Sequence, residues 1–172
     1  MKSKVPLRIE AAKRATVGSI WICVITSVHH VYGAYIYNTP WRLHAALISV
    51  LATALVAACL RLLRRRPGGC MGAIAFWTFT LVTFLVPFLG FGVFEGAYNH
   101  ALKIALYFAH ASPPLMARLY PAPTYEMPND AFFEITGVAQ VIPGFLTGYY
   151  LYLFAVGCGA GKAFCDLQLL VE

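Results

Sequence analysis

The sequence predicts an all-α fold: a four-helix transmembrane bundle, N-in and C-in, with a short amphipathic helix and a proline-rich cap on its non-cytoplasmic side. Three observations predict it. The 172 residues are 60% hydrophobic and only 12% charged, with a mean hydropathy of +0.69, whereas soluble domains carry roughly 25% charged residues. Four stretches reach the ~20 apolar residues that a spanning helix needs. The basic residues alternate between the links, crowding one side. A soluble globule is excluded, since a chain this short cannot bury four such helices. So is disorder, given the apolar content. A nucleic-acid partner is not expected, because the net charge of +6 sits in short clusters beside apolar segments.

In order, the first span covers residues 16–37, the second 43–63, the third 71–94 and the fourth 131–156, within one integral membrane domain of residues 1–172. Residues 1–15 read as a basic amphipathic lead-in lying on the membrane surface. The first apolar stretch outruns a signal-peptide core and no A-x-A site follows it, so a retained helix is expected. Pro40 and Trp41 suit a tight outer turn at headgroup level. The run Arg64-Arg65-Arg66-Pro67-Gly68-Gly69 stops the second helix. Kinks are expected at Pro87 and Pro143. Gly92-x-x-x-Gly96 is a small-residue packing pattern, expected to serve contacts within the bundle.

Residues 95–130 form the outer cap. Residues 101–111 read as a short helix following a turn near Gly96. Five prolines between Pro113 and Pro128 argue against regular structure beyond it.

Orientation follows from charge. Ten of the thirteen Lys and Arg residues lie in the N-terminal tail, the loop between spans two and three, or the C-terminal tail. The remaining three are Arg42, Lys103 and Arg118. The positive-inside rule then places both termini in the cytoplasm. The compact architecture points to a bacterial-type plasma membrane. Cys23, Cys59, Cys70, Cys158 and Cys165 all fall on the predicted cytoplasmic side, where thiols stay reduced. No C-x-x-C pair supports a thiolate metal site.

The candidate chemistry sits on the other side. All five histidines (His29, His30, His44, His100, His110) and four of seven carboxylates (Glu95, Glu126, Asp130, Glu134) lie in the outer half or beyond it. Ionisable groups inside a membrane segment face the bundle interior and mark function. Adjacent helical residues point about 100° apart, so His29 and His30 are not expected to face one site equally, and the sequence does not choose between them. Asp130 reads as the N-cap of span four, with Glu134 next on the same face.

The leading expectation is a transition-metal site, for Zn, Fe, Cu or Mn, since imidazole and carboxylate suit these ions. His30 and His100 are the expected nitrogen ligands. Glu95 and Glu134 are the expected oxygen ligands and the candidate catalytic carboxylates. His29, Asp130, Asn99 and Tyr98 are expected to orient them. His44 and His110 are weaker members. A metal-free acid–base site for a bilayer-borne lipid or isoprenoid competes with this reading. So does a haem b site using two histidines from facing helices, as does an accessory subunit of a larger membrane complex or an oligomer. The expected partners are the bilayer and a lipid-soluble ligand. A nucleophile triad is excluded, because no G-x-S-x-G is present. No polar path crosses the inner half, which argues against a transporter.

Overall fold

The computed structural model describes residues 5–122 and 124–157, with side chains from residue 8 onward. Lys2, Lys4, Pro123, Cys158, Lys162, Cys165, Asp166 and Glu172 lie outside the described residues. Among the described residues the secondary structure is entirely helical. Helix α1 spans Val5–Ile36. A 3₁₀ turn, Pro40–Arg42, leads into α2, Leu43–Arg65. Helix α3, Gly69–Thr83, passes without a break into a π-helix, Phe84–Leu102, and then into α4, Lys103–Phe108. A short α5, Pro113–Leu119, precedes α6, Ala131–Ala139, and α7, Val141–Val156.

Four helical stretches are long and apolar enough to cross a membrane: Arg8–Ile36, Pro40–Arg65, Gly69–Phe108 and Ala131–Val156. Their surfaces agree with an integral membrane protein. Large apolar side chains face outward, among them Trp21, Leu47, Trp77 and Ile142, the last 70% exposed. The interior carries small residues instead: Ala11, Ala12, Ala15, Ser19, Ala45, Ser49 and Ala52 are buried. Apolar patches of this extent are not left against water, and small residues let helices approach closely where lipid replaces water.

One core cluster joins Ala11, Ala12 and Ala15 of α1 to Val56, Cys59 and Leu63 of α2, Ala75 and Phe79 of α3, and Leu151 and Phe154 of α7. Arg14 donates to the Tyr150 hydroxyl at 3.2 Å. The start of α1, the end of α2, the start of α3 and the end of α7 therefore share one end of the bundle, where Arg14, Arg64 and Arg65 gather. Gly92 of the π-helix meets Gly144 of α7, and a Cβ on Gly92 would lie 2.8 Å from the Gly144 Cα. Gly96 packs against Val141 and Gln140, so the Gly92-x-x-x-Gly96 pattern does serve contacts inside the bundle.

Three local expectations are corrected. The lead-in is not a separate surface helix: α1 is continuous from Val5, and Ala11, Ala12 and Ala15 enter the core because they are small enough for close packing. The third helix neither ends at Phe94 nor turns near Gly96. Pro87 removes a backbone donor, and the helix answers by widening to the π form one turn before it rather than by stopping. The proline-rich stretch contains a helix, because Pro113 and Pro114 occupy its first turn, where no N–H is required. In the fourth span the interruption falls at Gln140, between α6 and α7. Pro143 cannot donate to the Ala139 carbonyl and its ring crowds it, which ends α6 there.

Candidate metal centre

The end of the bundle opposite the arginines holds the polar cluster. Along α1 a buried stripe runs Ala12, Ala15, Ser19, Ile22, Thr26 and His29, at the three- and four-residue spacing of one helix face. His29 is the last buried member of that stripe before Gly33, where the missing Cβ admits the Phe133 ring of α6. The Phe133 ring stacks on His29 with centroids 4.1 Å apart.

Glu95, Asn99 and His100 come from the π-helix. In an α-helix, residues five apart point roughly 140° away from each other. The π-helix closes i→i+5 rings, so Glu95 and His100 come onto one face of it. This settles a relation that linear spacing leaves open. His100 Nε2 lies 3.5 Å from Glu95 Oε1. Gly137 of α6 makes room for it, because a Cβ there would overlap the His100 ring.

Three imidazoles converge on one carboxylate oxygen. His29, His30 and His100 place their Nε2 atoms 3.5, 3.4 and 3.5 Å from Glu95 Oε1. Both His29 and His30 therefore reach the site, contrary to the expectation from helical phase. Their rings are set edge to face, with centroids 5.1 Å apart, and the reach of the two side chains absorbs the difference in Cα direction.

The other atoms of Glu95, His29 and His100 are held, while His30 Nδ1 is buried without a partner. Glu95 Oε2 accepts from Asn99 Nδ2 at 2.8 Å. The Thr136 hydroxyl donates to the Phe132 carbonyl at 2.8 Å, so toward His29 Nδ1, 3.1 Å away, it acts as acceptor. His100 Nδ1 donates to Glu134 Oε2 at 2.7 Å. Glu134 Oε1 accepts from Lys103 Nζ at 2.9 Å, and Lys103 also donates to the Glu126 carbonyl at 2.8 Å. Both Lys103 and Glu134 are buried. In neutral His29 and His100, with the proton assigned to Nδ1 by these partners, each Nε2 carries a lone pair directed toward Glu95.

One ligand atom each from His29, Glu95 and His100 lies within 4.8 Å of the other two, so the three can hold a metal ion. Donor atoms around one ion sit about 3–4 Å apart when bonds are near 2.0–2.2 Å. No protein family, no curated protein and no solved structure matches this chain.

The remaining expected site residues are placed as follows. Glu134 touches His100 and Lys103 rather than the convergence point, and so stands behind a ligand candidate. Asp130 caps α6, its Oδ1 accepting from the Phe133 amide at 2.8 Å, and its Oδ2 accepts from the Tyr32 hydroxyl at 2.9 Å. Asn99 holds Glu95. Tyr98 turns away to the cap: its hydroxyl donates to the Leu119 carbonyl at 3.1 Å, while the Tyr120 hydroxyl donates to the Tyr98 carbonyl at 2.9 Å. His44 is bonded to the Trp41 carbonyl and exposed. His110 is exposed, at the turn after α4.

Sequence reasoning missed the parts played by Thr136 and Lys103. The signal for Lys103 was its three-residue spacing from His100, which puts both on one helix face. Thr136 follows Phe132 by four residues, the spacing of a hydroxyl bonded back to its own helix, but nothing local points it at His29.

Proposed function

We propose that this protein binds a divalent transition-metal ion through His29 Nε2, His100 Nε2 and a Glu95 carboxylate oxygen. The observation that carries the proposal is the convergence of Nε2 lone pairs on a carboxylate oxygen, with the Nδ1 of His29 and of His100 already engaged. Lone pairs facing a carboxylate repel unless a positive species lies among them. A proton shared between imidazole and carboxylate would close the distance to about 2.7–2.9 Å. The separations of 3.4–3.5 Å are longer than that, which favours an ion of larger reach.

Two imidazoles and one carboxylate form the donor set of catalytic zinc sites and of non-haem iron(II) sites with open positions. His30 Nε2 stands close enough to Glu95 to complete or trim that set. Such an ion acts as a Lewis acid and lowers the pKa of bound water. The residues of this chain do the rest: Thr136 and Glu134 fix the ring orientation of His29 and His100, Lys103 balances the charge of Glu134, and Phe133 covers the His29 ring. The edge-to-face contact of His29 and His100, with centroids 4.6 Å apart, leaves no slot for a macrocycle between them, so the arrangement favours an ion over haem b.

In our reading the chain is a multi-pass protein with the arginine-rich end in the cytoplasm and the cluster toward the opposite face, in accord with the positive-inside rule. The test is metal content after purification in detergent and after equilibration with Zn²⁺, Fe²⁺, Cu²⁺ or Mn²⁺. One ion per chain is expected, lost in His29→Ala, His100→Ala and Glu95→Gln. No stoichiometric ion under any loading condition would sink the proposal and return the site to metal-free acid–base chemistry.

A further inference from the structure

A cavity of about 190 Å³ adjoins the cluster, lined among others by His30, Arg42, Glu95, Asn99, His100 and Lys103. Two buried cations border it, and they differ. Lys103 is satisfied by Glu134 and the Glu126 carbonyl. Arg42 is only 5% exposed, and its Nη2 is buried without a hydrogen-bond partner. Its Nε donates to the Thr39 hydroxyl at 2.8 Å. The guanidinium carbon lies 5.6, 5.0 and 5.3 Å from the ring centroids of Tyr37, Trp41 and Phe133. No carboxylate forms an ion pair with Arg42 among the described residues. A buried charge without a counter-ion is costly, and a guanidinium is shaped for bidentate pairing with a carboxylate.

Two further buried polar atoms on residues of the same cavity lack partners, His30 Nδ1 and Asn99 Oδ1. Trp41, Phe94, Tyr125 and Phe133 add aromatic wall. We propose that this cavity binds a small carboxylic acid as its anion, with Arg42 as the anchoring cation. The inference rests on the metal reading of the adjoining cluster. The cavity lining carries two carboxylates (Glu95, Glu126) and two cations (Arg42, Lys103), of which Lys103 is already paired with Glu134 behind it, so a divalent ion at the cluster tips the local balance to positive. Anion and metal therefore assist each other, by the same factor in each direction. A volume of about 190 Å³ suits one ring or a short chain rather than a whole lipid. The aromatic wall suits an apolar body, which inorganic phosphate lacks.

The test uses the full chain in detergent and proceeds in two arms. The first titrates Zn²⁺ alone. The second titrates benzoate into zinc-loaded and zinc-free protein, wild type and Arg42→Gln, with laurate in parallel to separate a free acid from a membrane fatty acid. Arg42→Lys, which keeps the charge, and an unaltered far-ultraviolet circular dichroism spectrum guard against misfolding. We expect benzoate to bind loaded wild type at least tenfold more tightly than zinc-free protein, and at least tenfold more tightly than loaded Arg42→Gln. Arg42→Lys should fall between, and laurate should bind no better than benzoate. Zinc binding with benzoate affinity indifferent to Arg42 overturns this inference and leaves the metal centre standing. If zinc fails to bind in the first arm, Fe²⁺, Cu²⁺ and Mn²⁺ are titrated in its place and the second arm uses the ion that binds; absence of binding by all four overturns the metal reading and this inference with it. A preference for laurate overturns the small-acid assignment alone.

Discussion

Glu134→Gln is the most informative single change outside the ligand candidates. Glu134 serves two donors with two oxygens: Oε2 accepts from His100 Nδ1 at 2.7 Å, and Oε1 accepts from Lys103 Nζ at 2.9 Å. An amide has one acceptor oxygen and one NH₂ group, so either His100 or Lys103 must then face a donor. At the 2.9 Å separation, the lost attraction between unit charges is about 6 kcal/mol for an effective dielectric of about 20. Partial relaxation and the remaining bond from Lys103 to the Glu126 carbonyl offset part of this. Breaking one side of a buried pair costs about 3–5 kcal/mol in practice, and that is the loss of stability expected here. The double variant Glu134→Gln/Lys103→Met removes the stranded charge and should recover a coupling energy on the order of 2–3 kcal/mol. Equilibrium unfolding in mixed micelles measures both quantities. In the same proteins, zinc affinity should fall 10–100-fold in the single variant, because His100 loses the carboxylate that orients it. A stability loss below about 1 kcal/mol, the range of a solvated surface pair, would refute the burial argument. Strict additivity of the two substitutions would refute the pairing.

Three further outcomes are expected. Thr136→Val should weaken zinc binding about tenfold by removing the acceptor that fixes His29 Nδ1–H, while Thr136→Ser retains it; competition with a chelator reads the difference. Gly137→Ala drives a Cβ into the His100 ring, and Gly144→Ala drives one into the Gly92 backbone; each should destabilise by about 1–3 kcal/mol in micellar unfolding, and only the first should also disturb zinc affinity. In the cap, burial pushes the Tyr120 phenol up to about 12, with Tyr98 and Tyr125 adding to the shift. The unfolded phenol ionises near pH 10, so stability from keeping it neutral is intact below that pH and is lost as pH rises toward 12. Burial also pushes the Tyr37 phenol up to about 12, so ultraviolet titration should show late phenolates at Tyr37 and Tyr120, and Tyr120→Phe should remove one of them and leave the other.

The apolar runs and the basic links determined by themselves that the chain is helical, has four stretches fit to cross a membrane, and keeps most of its basic residues apart from its histidines. Those properties follow from transfer free energies and residue order, which need no partner to be read. Asp130 as the cap of α6 was legible for the same reason: a cap bonds its own first turn. Tertiary structure decided which imidazoles meet. That His29 and His30 both reach Glu95 depends on the phase of α1 against its neighbours. Glu95 beneath His100 depends on a π-helix that widens around Pro87 and the glycines after it. The parts of Thr136, Lys103 and Arg42 depend on helices far apart in sequence being pressed together where Gly33, Gly92, Gly137 and Gly144 allow contact. Periodicity fixes the direction of a side chain on its own helix. What lies at the end of that direction is set only when the helices pack.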